Sequence, residues 1–285
     1  MSNALIIRSA LNPDLVLTVD GDTVVLGWLN PTDTAQQWIR EDHDQNFTLV
    51  NVLTGTGMTA ASDDNGAAIN VSGTGDQWNP GGDGAYQAIR LSTDTDMNIS
   101  ALGGSMNLGT PAVLWGWGGD NTDKLWDLQN ANDITPPTST TAGISAGGMA
   151  LCLMVNDSGT ITVEQGGYPI VNPNFLWTLT CWDTGVSFQN VGTGLFATFA
   201  GDDSALGTSP VMCIQALWTL APFDSPGTWW AVRPIQDSGM NLNVFGGLAP
   251  DATVGVWGWN GGDNNEVWEF VANANTSGFE VWTGC

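Results

Sequence analysis

The sequence predicts an all-β protein of two tandem domains, each assembled from three pseudo-repeats. Three observations carry that expectation. Gly supplies 37 of the 285 residues, Asn and Asp are plentiful, and Lys and Glu are scarce, which suits short strands joined by turns and suits helices poorly. Second, the halves of the chain repeat one another. AIRLSTDTDMNISALGG (88–104) matches AVRPIQDSGMNLNVFGG (231–247) at an offset of 143, and VLWGWGGDNTDKLWDL (113–128) matches GVWGWNGGDNNEVWEF (255–270) at an offset of 142. Third, a tryptophan closes an apolar segment every 40 to 50 residues or so, at Trp38, Trp78, Trp126, Trp177, Trp218 and Trp268.

Taken in order, the first unit is LVLTVDGDTVVLGWLNPTDTAQQWI (15–39): strand, Gly turn, apolar–Gly–Trp, polar loop, Gln-Gln-Trp. The second contains FTLVNVLTGTGM (47–58), echoed by VSFQNVGTGLFA (186–197) in the other half. Its closing Trp78, in GDQWNPGG, fits least well and reads as a loop. The third unit of each half is the Trp-Gly-Trp segment, ending on Trp126 or Trp268. FLWTL (175–179) and ALWTL (216–220) close the first two units of the second half. Each unit has room for three or four short strands. The seam is DITPPTSTTAG (133–143), whose two prolines hold it extended. Domain boundaries are therefore expected at 1–134 and 141–285, with a Pro-rich linker over 135–140. Each closing tryptophan is expected in a core.

A formal charge of −24 argues against nucleic-acid phosphates and anionic lipid as partners. No apolar run of 18 residues exists, so no membrane-inserted helix is expected. The N-terminus lacks the pattern of a signal peptide, pointing to a cytoplasmic or non-classically released protein. Cys152, Cys181 and Cys213 lie in apolar stretches and read as buried thiols, and no cysteine spacing suggests a metal. The one histidine, His43, sits in a turn-like EDHD, with no zinc-protease pair and no nucleophile elbow. The run DTDMN (94–98) begins like a calcium loop but lacks its Gly and its twelfth-position Glu, and reads as a hairpin turn. No catalytic residue, cofactor or metal is assigned.

In Val-Trp-Gly-Trp (256–259), strand alternation puts Trp257 and Trp259 on the face opposite Val256. At least one ring then stands at the surface, able to stack on the C–H face of a sugar, with NGGDNN (260–265) supplying polar groups beside it. Three pseudo-repeats of four strands with Gln-x-Trp-like ends resemble the ricin-B-type β-trefoil. The Gln-Gln-Trp ending after Val-Leu-Gly-Trp resembles its mushroom members, and the tandem arrangement resembles bacterial haemagglutinin components. A six-bladed propeller, which also repeats about every 40 residues, is the architectural alternative. The resemblance implies a non-enzymatic, multivalent lectin whose partners are glycans or glycoconjugates, of galactose or N-acetylgalactosamine type.

A sugar-binding repeat of that family has an Asp on its second strand, an aromatic ring, and an Asn or Gln before the closing Trp. The resemblance carries these onto Asn243, Trp257 and Asn265 in the last unit, with Trp259, Asn260, Asp263 and Asn264 around them. Asn243 replaces the Asp, and Glu266 replaces the usual Gln. In the third unit of the first half the set is Ser100, Trp115 and Asp123, with Trp117, Asp120 and Asn121 available. In the first unit it is Asp20, Trp28 and Asn30, with Leu26 where the ring would stand. A protein-binding trefoil, such as a protease inhibitor acting through its loops, shares the fold, as does a module that has lost its ligand.

Overall fold

The computed structural model describes residues 4–82, 84–118, 121–148, 151–166, 170–224 and 228–272. The chain divides into two compact units, Met1–Pro137 and Thr138–Cys285. Each carries twelve strands, four per repeat. In unit 1 these are β1 (Leu5–Ser9), β2 (Leu15–Asp20), β3 (Thr23–Trp28) and β4 (Gln37–His43); then β5 (Asn46–Asn51), β6 (Met58–Ala60), β7 (Ile69–Val71) and β8 (Trp78–Gly81); then β9 (Gln87–Leu91), β10 (Asp94–Ala101), β11 (Ala112–Gly116) and β12 (Leu125–Asn130). Unit 2 follows with β13 (Thr138–Ala146), β14 (Leu151–Val155), β15 (Ile161–Gln165) and β16 (Leu176–Cys181); β17 (Val186–Asn190), β18 (Phe196–Thr198), β19 (Gly207–Ser209) and β20 (Leu217–Pro222); and β21 (Trp230–Pro234), β22 (Met240–Val244), β23 (Ala252–Gly258) and β24 (Trp268–Ala272).

The pairing decides between the two candidate architectures. A propeller blade keeps its four strands to itself. Here the outer strands of each repeat pair across repeats: β1 with β4 and β12, β4 with β5, β5 with β8, β8 with β9, and β9 with β12. That circuit closes a barrel from the first and fourth strands of the three repeats. The inner strands form the hairpins β2–β3, β6–β7 and β10–β11, which cap it. Unit 2 repeats the circuit through β13, β16, β17, β20, β21 and β24, with hairpins β14–β15, β18–β19 and β22–β23. Each unit is a β-trefoil. Closure leaves no free barrel edge for another chain to pair with.

All six closing tryptophans have zero exposure and belong to the two main apolar clusters, three in each. A buried ring of this size removes ~150–250 Å² from water, and at about 25 cal/mol per Å² that is roughly 4–6 kcal/mol as an upper bound. Trp78 is no loop residue: it opens β8 and is as buried as the others. Its flanking Gly and Pro residues hide the strand because their low β-propensity outweighs the pattern.

Two other expectations are corrected. Thr138–Thr140 are the first residues of β13, paired with β16, so the extended Pro-rich linker is shorter than 135–140. Ile134 packs with Ile6, Val16 and Leu29. Cys181 is disulfide-bonded rather than a buried thiol. Cys213 precedes a short 3-10 turn and is only half-buried, leaving Cys152 as the buried free thiol among the described residues.

Candidate functional site

A common frame links the six repeats. Each closing indole N–H donates to a carbonyl on the second strand of its own repeat: Leu17, Met58 and Ile99 in unit 1, Leu153, Ala197 and Leu242 in unit 2, at 2.9–3.3 Å. Opposite those residues on the third strands stand Leu26, Val71, Leu114, Val163, Thr208 and Val256. The next residue faces away from the core. It is Gly27, Ser72, Trp115, Glu164, Ser209 or Trp257. A ring stands at this position in the two third repeats and in none of the other four.

In unit 2 the outer face of the β22–β23 hairpin presents Asn241, Asn243, Gly255 and Trp257, while Leu242, Val244, Val254 and Val256 fill the core. Trp257 is 45% exposed. Asn243 lies diagonally across from it and is 4% exposed. The Phe245 ring lies over Gly255 and meets Trp257 edge-on, centroids 6.3 Å apart. Asn265 Nδ2 donates to Asn243 Oδ1 (2.7 Å) and Val244 O (3.2 Å), so Asn265 Oδ1 remains uncommitted among the described residues. Glu266 is fully buried. Its carboxylate accepts from Asn243 Nδ2 (3.2 Å) and from the backbone N–H of Asn260 (3.1 Å) and Gly262 (3.3 Å). It clamps the loop that carries Asn260, Asp263 and Asn264, all exposed.

The matching place in unit 1 has the same outline with different chemistry. Trp115 is 43% exposed and passes 3.7 Å from where a Cβ on Gly66 would stand. Ser100 Oγ donates to Asp123 Oδ2 (2.7 Å). Lys124, its side chain 4% exposed, occupies the position of Glu266; its Nζ donates to both oxygens of Asp123 (3.0 and 3.1 Å). A carboxylate offers about four acceptor positions, of which these contacts fill three. Asn65, one residue before Gly66, accepts the Gly116 N–H at 2.7 Å and is exposed beside the ring. The sequence pattern singles out neither Asn65 nor Phe245 for this role. Asn65 comes from the second repeat, and only the fold brings it alongside. Phe245 could have been found from its place before the repeated Gly-Gly.

Several expected residues fall elsewhere. In the first repeat, the frame puts Thr18, Gly27 and Ala35 at the three positions of Asn243, Trp257 and Asn265. Asp20 sits two residues further on, at the hairpin tip opposite Thr23. Trp28 is turned to the other face and packs against the core cluster. Asn30 Oδ1 is taken by the Thr32 N–H and hydroxyl. That repeat has no ring and no cleft set. Trp259 lies beyond the end of β23 at Gly258, where strand alternation no longer fixes its face. Its ring instead lies 5.5 Å from the Arg233 guanidinium and 6.0 Å from Phe223, edge-on. Trp117 likewise lies beyond the end of β11 and lines a separate cavity. Asn121 Oδ1 accepts the Gly118 N–H at 2.9 Å, a turn contact. Asp120 lies outside the described residues. Among the described residues no group of three or more His, Cys, Asp or Glu is placed to hold a metal.

Two β-trefoils, each with an exposed ring beside a partly buried polar pair in its third repeat, define the class of molecule. The chain resembles the ricin-B-type β-trefoil lectins. The Arabidopsis thaliana ricin B-like lectin EULS3 is 29% identical over 147 residues, covering 43% of this chain and 45% of that protein; the chain thus matches less than half the length of this curated relative. No family model matches the sequence. Among solved structures, hemolytic lectin CEL-III covers 94% of this chain and 63% of its own, at 14% identity and a TM-score of 0.48. The Macrolepiota procera ricin B-like lectin, solved in complex with lactose, covers 45% of this chain and 96% of its own, at 17% identity and a TM-score of 0.42.

Proposed function

We propose that this protein is a non-enzymatic, carbohydrate-binding lectin with one sugar cleft in the third repeat of each unit. The observation that carries the reading is the placement of Trp115 and Trp257, half-exposed at one equivalent position beside Ser100–Asp123 and Asn243–Asn265. A flat indole stacks on the apolar face of a sugar ring, while Asp123 and Asn265 Oδ1 accept hydrogen bonds from its hydroxyls. Shallow sites of this kind bind weakly alone, and two on one chain raise avidity for a glycosylated surface. Galactose or N-acetylgalactosamine termini are the sugars the family resemblance favours. The test is a glycan array. The wild-type protein should bind galactose-terminated glycans; Trp115→Ala and Trp257→Ala should each weaken that signal by about 100-fold through lost avidity. An array without signal, together with stoichiometric protease inhibition, would replace this reading with a protein-binding trefoil.

A further inference from the structure

The repeated segment contains an Arg and an Asn that the clefts do not use. Asn98 and Arg90 are cross-strand neighbours on β10 and β9. Asn98 is fully buried. Its Nδ2 donates to Asp96 O (2.9 Å) and Trp115 O (3.3 Å), but its Oδ1 has no hydrogen-bond partner among the described residues. Arg90 Nη2 donates to Asn79 Oδ1 (2.5 Å) and Pro80 O (2.8 Å), but its buried Nε–H has none among them. Both side chains line a cavity of about 470 Å³, with Asp96, Trp117, Tyr86 and Gly84 among the other walls. Ser100, Trp115 and Asp123 are not part of its lining.

A buried donor and a buried acceptor without partners are costly, and a molecule that keeps both has a reason in a ligand or an ordered water. The chemistry narrows the ligand. An anion would meet the Asn98 carbonyl and the Asp96 carboxylate. A cation would meet the Arg90 guanidinium. An apolar molecule would leave both polar groups unpaired. A hydroxyl serves both: it accepts from Arg90 Nε–H, and its neighbour donates to Asn98 Oδ1. Trp117 and Tyr86, 54% and 40% exposed, supply ring faces at the mouth, and the volume lies within the roughly 300–1,000 Å³ usual for small-molecule sites.

We propose that this cavity is a second saccharide subsite of unit 1, separate from the Trp115 cleft and taking a neutral sugar ring through a pair of its hydroxyls. The inference rests on the lectin reading above. Unit 2 supplies an internal comparison. Arg233 Nε and Asn241 Oδ1 are again buried without partners, at the same offset of 143 residues. There Trp259 lies against the Arg233 guanidinium and Phe223 meets Trp259, where unit 1 has its glycine-rich mouth.

The test starts from the full chain carrying Trp115→Ala and Trp257→Ala, titrated calorimetrically with methyl β-galactoside, methyl α-mannoside and methyl N-acetyl-β-galactosaminide at millimolar concentration. One of them should give a residual saturable isotherm, weakened about tenfold by Asn98→Leu and abolished by Gly84→Phe, a substitution at an exposed mouth residue. A crystal of the wild-type protein grown with that glycoside should show the ring between Arg90, Asn98 and Trp117. Sugars in the Trp115 and Trp257 clefts with only water in the cavity would overturn this subsite and leave the lectin reading standing. No glycoside bound at any position would overturn both.

Discussion

Glu266 and its counterpart Gln36 show how one residue can set the geometry of a repeat without touching a ligand. Gln36 Oε1 accepts the Asn30 N–H at 2.8 Å, and Glu266 accepts the N–H of Asn260, the equivalent residue, at 3.1 Å. Glu266→Gln keeps an acceptor for the Asn260 and Gly262 N–H groups but turns an amide N–H toward Asn243 Nδ2, and should cost about 1 kcal/mol, whereas Glu266→Ala leaves all three donors unpartnered and should cost about 2–3 kcal/mol; urea denaturation of the three proteins checks both. Nearby, burial pushes the Glu269 carboxyl above the usual carboxylate range. The fold then holds that proton more tightly than the unfolded chain does, so Glu269 adds stability in acid and this is lost as pH rises through its raised folded value. Glu269→Gln should raise Tm at pH 7 by about 1–3 °C, and the gain should vanish below about pH 4. Absence of that pH dependence in melting curves would contradict the assignment.

At the scale of elements, the β22–β23 hairpin holds the unit 2 cleft through one close contact. A Cβ on Gly255 would lie 2.2 Å from Phe245 Cζ and 2.4 Å from Ser204 O, and the second of these is backbone. Gly255→Ala should destabilise unit 2 by about 1–3 kcal/mol and disturb the Phe245–Trp257 pair, visible as a changed near-ultraviolet circular dichroism signal. The hairpins also mark what the sequence could and could not reveal. Strand content, the three-unit period and the closing tryptophans were legible because they follow from composition, spacing and burial. The registers were not. Asp20 looks like the second-strand carboxylate by analogy, yet the Trp38 indole bond to Leu17 O puts Thr18 at that place. A two-residue shift is invisible when the side-chain period is itself two. For Trp259 the alternation is carried one residue past the end of β23 at Gly258, where it no longer fixes a face. In the second repeats the Asn-Val echo proved structural: Asn51 and Asn190 are fully buried and tie their turns to the preceding repeat, through Ala35 O and Gln37 O or Asn174 O and Leu176 O.

Over the whole molecule, the two trefoils carry two proposed sites whose exposed rings match and whose polar partners have diverged. One cleft rests on a Ser–Asp–Lys set and the other on Asn–Asn–Glu, so the two units should differ in sugar preference more than in position. With Cys181 disulfide-bonded, thiol titration in denaturant should count fewer than four thiols, and Cys152, its thiol pushed up to about 11 by burial and by Glu269, should stay unreactive in the folded protein at pH 7–8. A count of four would contradict the bridge. The most direct measurement is the array signal of the wild-type protein beside that of the Trp115→Ala, Trp257→Ala double variant. The wild-type protein should bind galactose-terminated glycans, and the folded double variant should lose that surface signal. Equal signals from both would contradict the assignment of the third-repeat clefts as the sugar sites.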